Sequence, residues 1–97
     1  MTEYELFVPV TRQGARKLSR LKKHVAKYFG GLTYFPQRNE GFWRFGGVMF
    51  EDDVVILRVL TGDPLKAQMF FAQVKKELKQ GWGQEDVLIV VRDVKTV

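Results

Sequence analysis

Asp53-Val54-Val55-Ile56-Leu57-Arg58-Val59-Leu60 combines continuous β-branched and aliphatic character with clean boundaries as no other stretch of the chain does. Asp52 precedes it, and Thr61-Gly62-Asp63-Pro64 follow. An apolar run with polar punctuation at both ends predicts a strand covered on both faces, here the central strand of a sheet.

Downstream, Asp63 is an N-cap and Pro64 a first helical residue, a pairing that starts a helix because proline lacks only an N–H that has no partner there. Ala67, Phe70, Phe71, Val74 and Leu78 form its main apolar face. Leu65, Met69 and Ala72 form a smaller patch on the other side. Lys75, Lys76 and Lys79 suit the negative end of the helix dipole. Gly81-Trp82-Gly83 ends the helix, and Asp86 to Val94 reads as the last strand. Upstream, Phe42–Phe45 and Val48–Glu51 read as short strands broken by Gly46-Gly47, which predicts a bent hairpin or a bulge over 42–51. Gln37 to Gly41 reads as a polar turn, and Leu32 to Pro36 as a short strand.

Further back, Arg12 to Phe29 is a helix with Thr11 as its N-cap. Ala15, Leu18, Leu21, Val25, Tyr28 and Phe29 recur at three- and four-residue spacing as an apolar stripe. Gly30-Gly31 ends this helix. Tyr4 to Val10 is the first strand, and Pro9 predicts loss of ladder pairing near its end. The order strand, helix, strands, central strand, helix, strand is the split β-α-β pattern of an α+β ferredoxin-like fold. It predicts an antiparallel sheet with the first and Val54–Leu60 strands in the middle and both helices on one face.

Residues 1–97 make one domain. With 45% hydrophobic and 28% charged residues, the composition is that of a folded chain rather than a disordered one. The chain has no cysteine, which excludes disulfide scaffolds, thiolate catalysis and cysteine-based metal sites. The acidic start, Met1-Thr2-Glu3-Tyr4-Glu5, has no apolar signal segment, and no run is long enough to span a bilayer. A cytoplasmic protein without membrane contact is expected.

Alternation along the strands has a consequence. If Val55, Leu57 and Val59 face the helices, Phe7, Val54, Ile56, Leu88 and Val90 make an apolar face on the other side. Such a face is expected to be covered, by a second copy in a homodimer or by the 42–51 hairpin. Leu65 and Met69 are the other candidate dimer surface.

The net charge of +5 is concentrated in one segment. Arg12 to Lys27 holds seven Lys/Arg and no acid, while the rest of the chain holds nine Lys/Arg against eleven Asp/Glu. Helical spacing gathers Arg12, Arg16, Arg20, Lys23, His24 and Lys27 on one face. Like charges at this spacing repel, so an anionic partner, acidic protein or nucleic acid, would relieve them; the plain alternative is a solvated face. Phosphate binding there would be steeply salt-dependent. Tyr34, Phe35, Arg38, Phe42, Trp43 and Arg44 interleave rings with arginines, the mixture that base stacking with phosphate pairing requires. Against it, Arg44-Phe45-Gly46-Gly47-Val48-Met49-Phe50 is out of register with the aromatic signature of RNA-recognition motifs.

His24 is the one histidine and stands among cations, so a metal site or catalytic triad lacks its other parts. Glu51-Asp52-Asp53 and Glu85-Asp86 read as charged turns before buried strands, and no metal or cofactor is expected. No phosphate-binding glycine fingerprint occurs.

Phe29-Gly30-Gly31-Leu32-Thr33, Gly41-Phe42-Trp43, Phe70-Phe71 with Lys75-Lys76, and Gln84-Glu85-Asp86-Val87-Leu88 follow one another in order. In this pattern the chain resembles a group of small bacterial domains of ferredoxin-like type. The resemblance implies the fold and brings no catalytic residues with it.

The expected function is a non-enzymatic homodimeric interaction module that presents the Arg12–Lys27 face to an acidic partner. One alternative is an RNA- or DNA-binding protein that adds Arg38, Trp43 and Arg44 to that face. Another is a small dimeric α+β-barrel enzyme, with Arg58 or Arg92 orienting an anionic substrate in a cavity between sheet and helices. No acid–base or nucleophile pair supports catalysis.

Overall fold

A computed structural model of the chain describes residues 1–10, 14–81 and 87–97, apart from the side chains of Trp43 and Phe45. The elements are β1 (Thr2–Pro9), α1 (Gly14–Phe29), β2 (Thr33–Phe45), β3 (Val48–Thr61), α2 (Pro64–Gly81) and β4 (Ile89–Asp93). The sheet order is β2-β3-β1-β4, antiparallel throughout, so the Val54–Leu60 segment and the first strand are the two middle strands. This is the ferredoxin-like α+β fold expected from the element order.

The core lies between the sheet and the helices. Tyr4, Leu6 and Val8 of β1 and Val55, Leu57 and Val59 of β3 are buried there, against Val25, Ala67, Phe71, Val74 and Leu78. The Tyr4 and Phe71 rings stack 4.5 Å apart, and Phe29 stacks on Phe71 at 5.4 Å. The α1 stripe is narrower than its spacing predicted: Leu18, Leu21, Val25 and Phe29 pack on the core, while Ala15 is exposed and Tyr28 lies at the rim.

The punctuation works as local chemistry requires. Gly30 takes a left-handed φ of 82°, and its amide donates to the Ala26 carbonyl at 2.8 Å, closing α1. The Asp63 carboxylate accepts the Lys66 amide at 3.1 Å and caps α2. Pro9 falls where its missing N–H costs little, because β4 pairing with β1 ends at Leu6↔Ile89.

The hairpin departs from expectation in one respect. The 42–51 segment is not a separate pair of short strands; it continues β2 and β3 in one ladder out to Phe45↔Val48. Gly46 and Gly47, with φ of 58° and 80°, form the two-residue turn rather than a bulge, since two successive positive φ values match the twist of a hairpin. The irregularity lies earlier. Between Phe35↔Ile56 and Asn39↔Val54, β2 places Pro36, Gln37 and Arg38 against Val55 alone. The Asn39 side-chain amide donates to the Gln37 carbonyl at 2.9 Å, which satisfies an acceptor freed by that break. Residues 37–41 therefore belong to a strand, and Asp52-Asp53 lie within β3 rather than in a turn.

The last strand is shorter than expected, Ile89–Asp93, and Phe7 N–H reaches back to the Leu88 carbonyl at 3.0 Å. Thr11, Arg12 and the 82–86 segment, including the expected helix stop and the Glu85-Asp86 turn, lie outside the described residues. Among the described residues no helix is long and apolar enough to cross a membrane.

Candidate functional site

Two surfaces carry unusual chemistry, and they lie on opposite sides of the sheet. The first is the sheet face without helices. Strand alternation sends Glu3, Glu5 and Phe7 of β1, Val54, Ile56, Arg58 and Leu60 of β3, and Val90 and Arg92 of β4 to this side. The register divides it into two halves.

In the ionic half, Glu5 stands opposite Arg58 and Glu3 opposite Arg92. Each arginine bridges both acids. Arg58 Nε lies 2.6 Å from Glu3 Oε1, and its Nη2 2.7 Å from Glu5 Oε1. Arg92 reaches Glu3 Oε2 at 3.5 Å and Glu5 Oε2 at 3.2 Å. Both glutamates are only 8% exposed, on a face that no helix covers. The bond from Arg58 holds the Glu5 carboxyl below its ordinary range, against the opposing effect of burial, and the same bond raises Arg58. The Arg58 guanidinium also lies 4.9 Å from the centre of the Phe35 ring.

In the apolar half, Phe7, Val54, Ile56 and Val90 are half-buried, while Leu88 is 58% exposed. A cleft of about 270 Å³ opens here between Phe7, Pro9, Val54 and Leu88 on one side and Gly41 and Phe42 on the other. Phe42, at the edge of this cleft, remains 63% exposed.

The second surface is the outer side of α1. Arg16, Arg20, Lys23 and Lys27 are all exposed, as the helical spacing predicted, and Arg12 lies outside the described residues. None of these four is paired with a carboxylate among the described residues. Lys22, from the same segment, caps the Tyr34 ring at 4.2 Å. His24 stacks on Phe70 at 5.1 Å, and Phe70 on Tyr28 at 4.4 Å, so the histidine takes part in a ring stack between the helices. Beyond that stack a groove of about 450 Å³ runs between α1 and α2.

The structure does not unite the predicted basic and aromatic sets. Arg38 lies in the β2 irregularity and Arg44 opposite Met49 near the hairpin tip, both exposed. The hairpin runs five residues past the Pro9↔Val54 pair, from Val54 to Met49, which carries Arg44 roughly 16 Å beyond the end of β1. The Trp43 side chain lies outside the described residues. Two of the rings expected to stack bases, Tyr34 and Phe35, already carry a cation of this chain.

Arg58 and Arg92, expected to orient an anion between sheet and helices, project from the opposite face and are neutralised by the two glutamates. Sequence reasoning placed Glu5 on the open side but did not join it to these arginines. The signal was two acids at i, i+2 in an otherwise apolar strand. Among the described residues no group of three or more His, Cys, Asp or Glu side chains gathers to hold a metal ion.

No family model matches the chain, and no curated protein does. Solved structures do. All of this chain aligns with 87% of the divalent cation tolerance protein CutA1 of Thermus thermophilus, at 18% identity and a TM-score of 0.64. The periplasmic divalent cation tolerance protein CutA of Archaeoglobus fulgidus aligns equally widely, at 18% identity and 0.62. The PII-like protein CutA of Nostoc sp. PCC 7120 matches 97% of this chain over 81% of its own, at 14% identity and 0.60. At such identities the likeness is one of fold: the chain shares the ferredoxin-like fold of these proteins.

Proposed function

We propose that the protein is a non-enzymatic interaction module that self-associates through its open sheet face and presents the basic face of α1 to an acidic partner. A homodimer is the smallest assembly that covers the apolar half, and the cysteine-free chain suits a cytoplasmic setting. The observation that carries the partner reading is the contrast between two sets of cations. Arg58 and Arg92 are each held by two carboxylates. Arg16, Arg20, Lys23 and Lys27 are exposed and have no carboxylate of the described chain beside them. Self-association rests on the exposed Leu88 and Phe42 beside half-buried Phe7, Val54 and Ile56.

A nucleic-acid partner fits less well, because Tyr34 and Phe35 are capped by Lys22 and Arg58 and Arg44 projects on the hairpin. Divalent cation tolerance is said of two of the structural neighbours; no ligand cluster among the described residues supports that role for this chain. Fluorescence anisotropy with labelled oligoglutamate and labelled oligothymidylate tests the partner reading. Oligoglutamate should bind at about 50 mM salt and weaken by about 200 mM. Binding of the oligothymidylate alone would shift the reading to nucleic acid, and retention of neither probe would end it.

A further inference from the structure

The helices α1 and α2 are joined at one end and parted at the other. At the joined end, Tyr28 and His24 of α1 pack on Phe70 of α2, and Lys66 Nζ lies 4.4 Å above the Tyr28 ring. At the other end lies the groove of about 450 Å³. That volume is within the roughly 300–1,000 Å³ of ligand sites. Its α1 wall carries Lys17, Arg20 and His24. Half-buried Leu21 is the accessible part of its apolar floor, with the core residues Val74 and Leu78 beneath. Across from Lys17 and Arg20 stands Glu77, whose carboxylate accepts a bond from Gln73 at 3.4 Å.

We infer that this groove docks an acidic peptide segment, which sets one aliphatic side chain on the floor and turns its carboxylates to α1. The inference rests on the acidic-partner reading above and names where and how that partner sits. Three observations select a peptide. Exposed cations run from Arg16 to Lys27, about 16 Å of helix at 1.5 Å per residue, which is longer than a single carboxylate can use. The apolar floor has no counterpart in a phosphate backbone. The nearby rings lie nearly parallel to one another, at 18° and 28°, so each already covers a neighbour's face and leaves little room for bases. Glu77 repels acids from the α2 wall and so fixes which side of the peptide faces α1.

The test is anisotropy with two labelled glutamate-rich peptides that differ only in a central leucine or alanine. The leucine peptide should bind about tenfold more tightly. Arg20→Glu should weaken it by at least about tenfold, and Glu77→Gln should tighten it about twofold. Both substituted residues are exposed, so both variants should fold. Equal affinity for the two peptides, lost in Arg20→Glu, would overturn the groove while leaving the acidic-partner reading intact. No binding of either peptide would overturn both. Oligothymidylate bound as tightly as the leucine peptide would overturn the peptide assignment in favour of nucleic acid.

Discussion

The two faces of this one sheet are built from the same strands, offset by a single residue, yet they are stabilised by different physics. Toward the helices, β1 and β3 present Tyr4, Leu6, Val8, Val55, Leu57 and Val59, all buried and all apolar. On the other side, the intervening residues are Glu3, Glu5, Phe7, Val54, Ile56 and Arg58. The helix-covered face is stable by packing alone. The open face keeps two carboxylates almost out of water by enclosing them between Arg58 and Arg92, then leaves an apolar half beside them. The open face thus sets two kinds of surface side by side: ion pairs complete within the chain, and apolar residues that stay partly exposed in the single chain.

The sharpest way to break this comparison is to empty a core position. Leu57 is fully buried, so Leu57→Ala should cost about 2–5 kcal/mol in chemical denaturation. A loss below about 1 kcal/mol would mean that the helix-covered face is not the principal core.

On the open face, Glu5→Gln should cost about 1–3 kcal/mol, less than a fully buried pair, because the Arg58 and Arg92 side chains are 40% and 50% exposed. Its pH dependence sharpens the point. Arg58 lowers the Glu5 carboxyl below its ordinary value of 4.5, so folding favours the ionised form. The stability this contributes is whole above that value and is lost as pH falls through the depressed one. Thermal melts of the wild type and Glu5→Gln should therefore differ most at neutral pH and converge on acidification. A gap that stays constant from neutral pH to about pH 3 would show that Glu5 acts by packing and not by charge.

The smallest effect on stability belongs to α1. Arg16→Glu and Arg20→Glu should each shift stability by no more than about 0.5 kcal/mol, since both residues are exposed. The double variant should nonetheless lose oligoglutamate. A large drop in melting temperature would mean that these side chains are packed rather than presented.

Most of the fold was legible because its signals are local. Asp63-Pro64 and Gly30-Gly31 fix helix ends within a few residues, and period-two alternation assigns every residue of the Val54–Leu60 segment to its face. The 42–51 hairpin was legible, but not whether Gly46-Gly47 is its turn or a bulge, because paired glycines interrupt an apolar pattern in either case. Only the ladder shows a two-residue turn there and the extra residues at Pro36–Arg38. The basic face of α1 was legible from helical spacing, since Arg16, Arg20, Lys23 and Lys27 are all exposed. The Glu3–Arg58–Glu5–Arg92 network was not, because it joins residues as far apart as Glu3 and Arg92 through a register that no local pattern encodes. The groove between α1 and α2 was hidden for the same reason: its walls belong to helices that meet only in the fold.

In the proposed assembly, another copy of this chain covers the apolar half of the open face. Light scattering during size-exclusion chromatography measures that directly, on the wild type and on Leu88→Asp, whose site is more than half exposed in the single chain. The wild type should have a mass of at least twice 11.3 kDa at low and high salt, and a folded Leu88→Asp variant should run near 11.3 kDa. A wild type that elutes as a single 11.3 kDa chain at both salts would contradict that assembly.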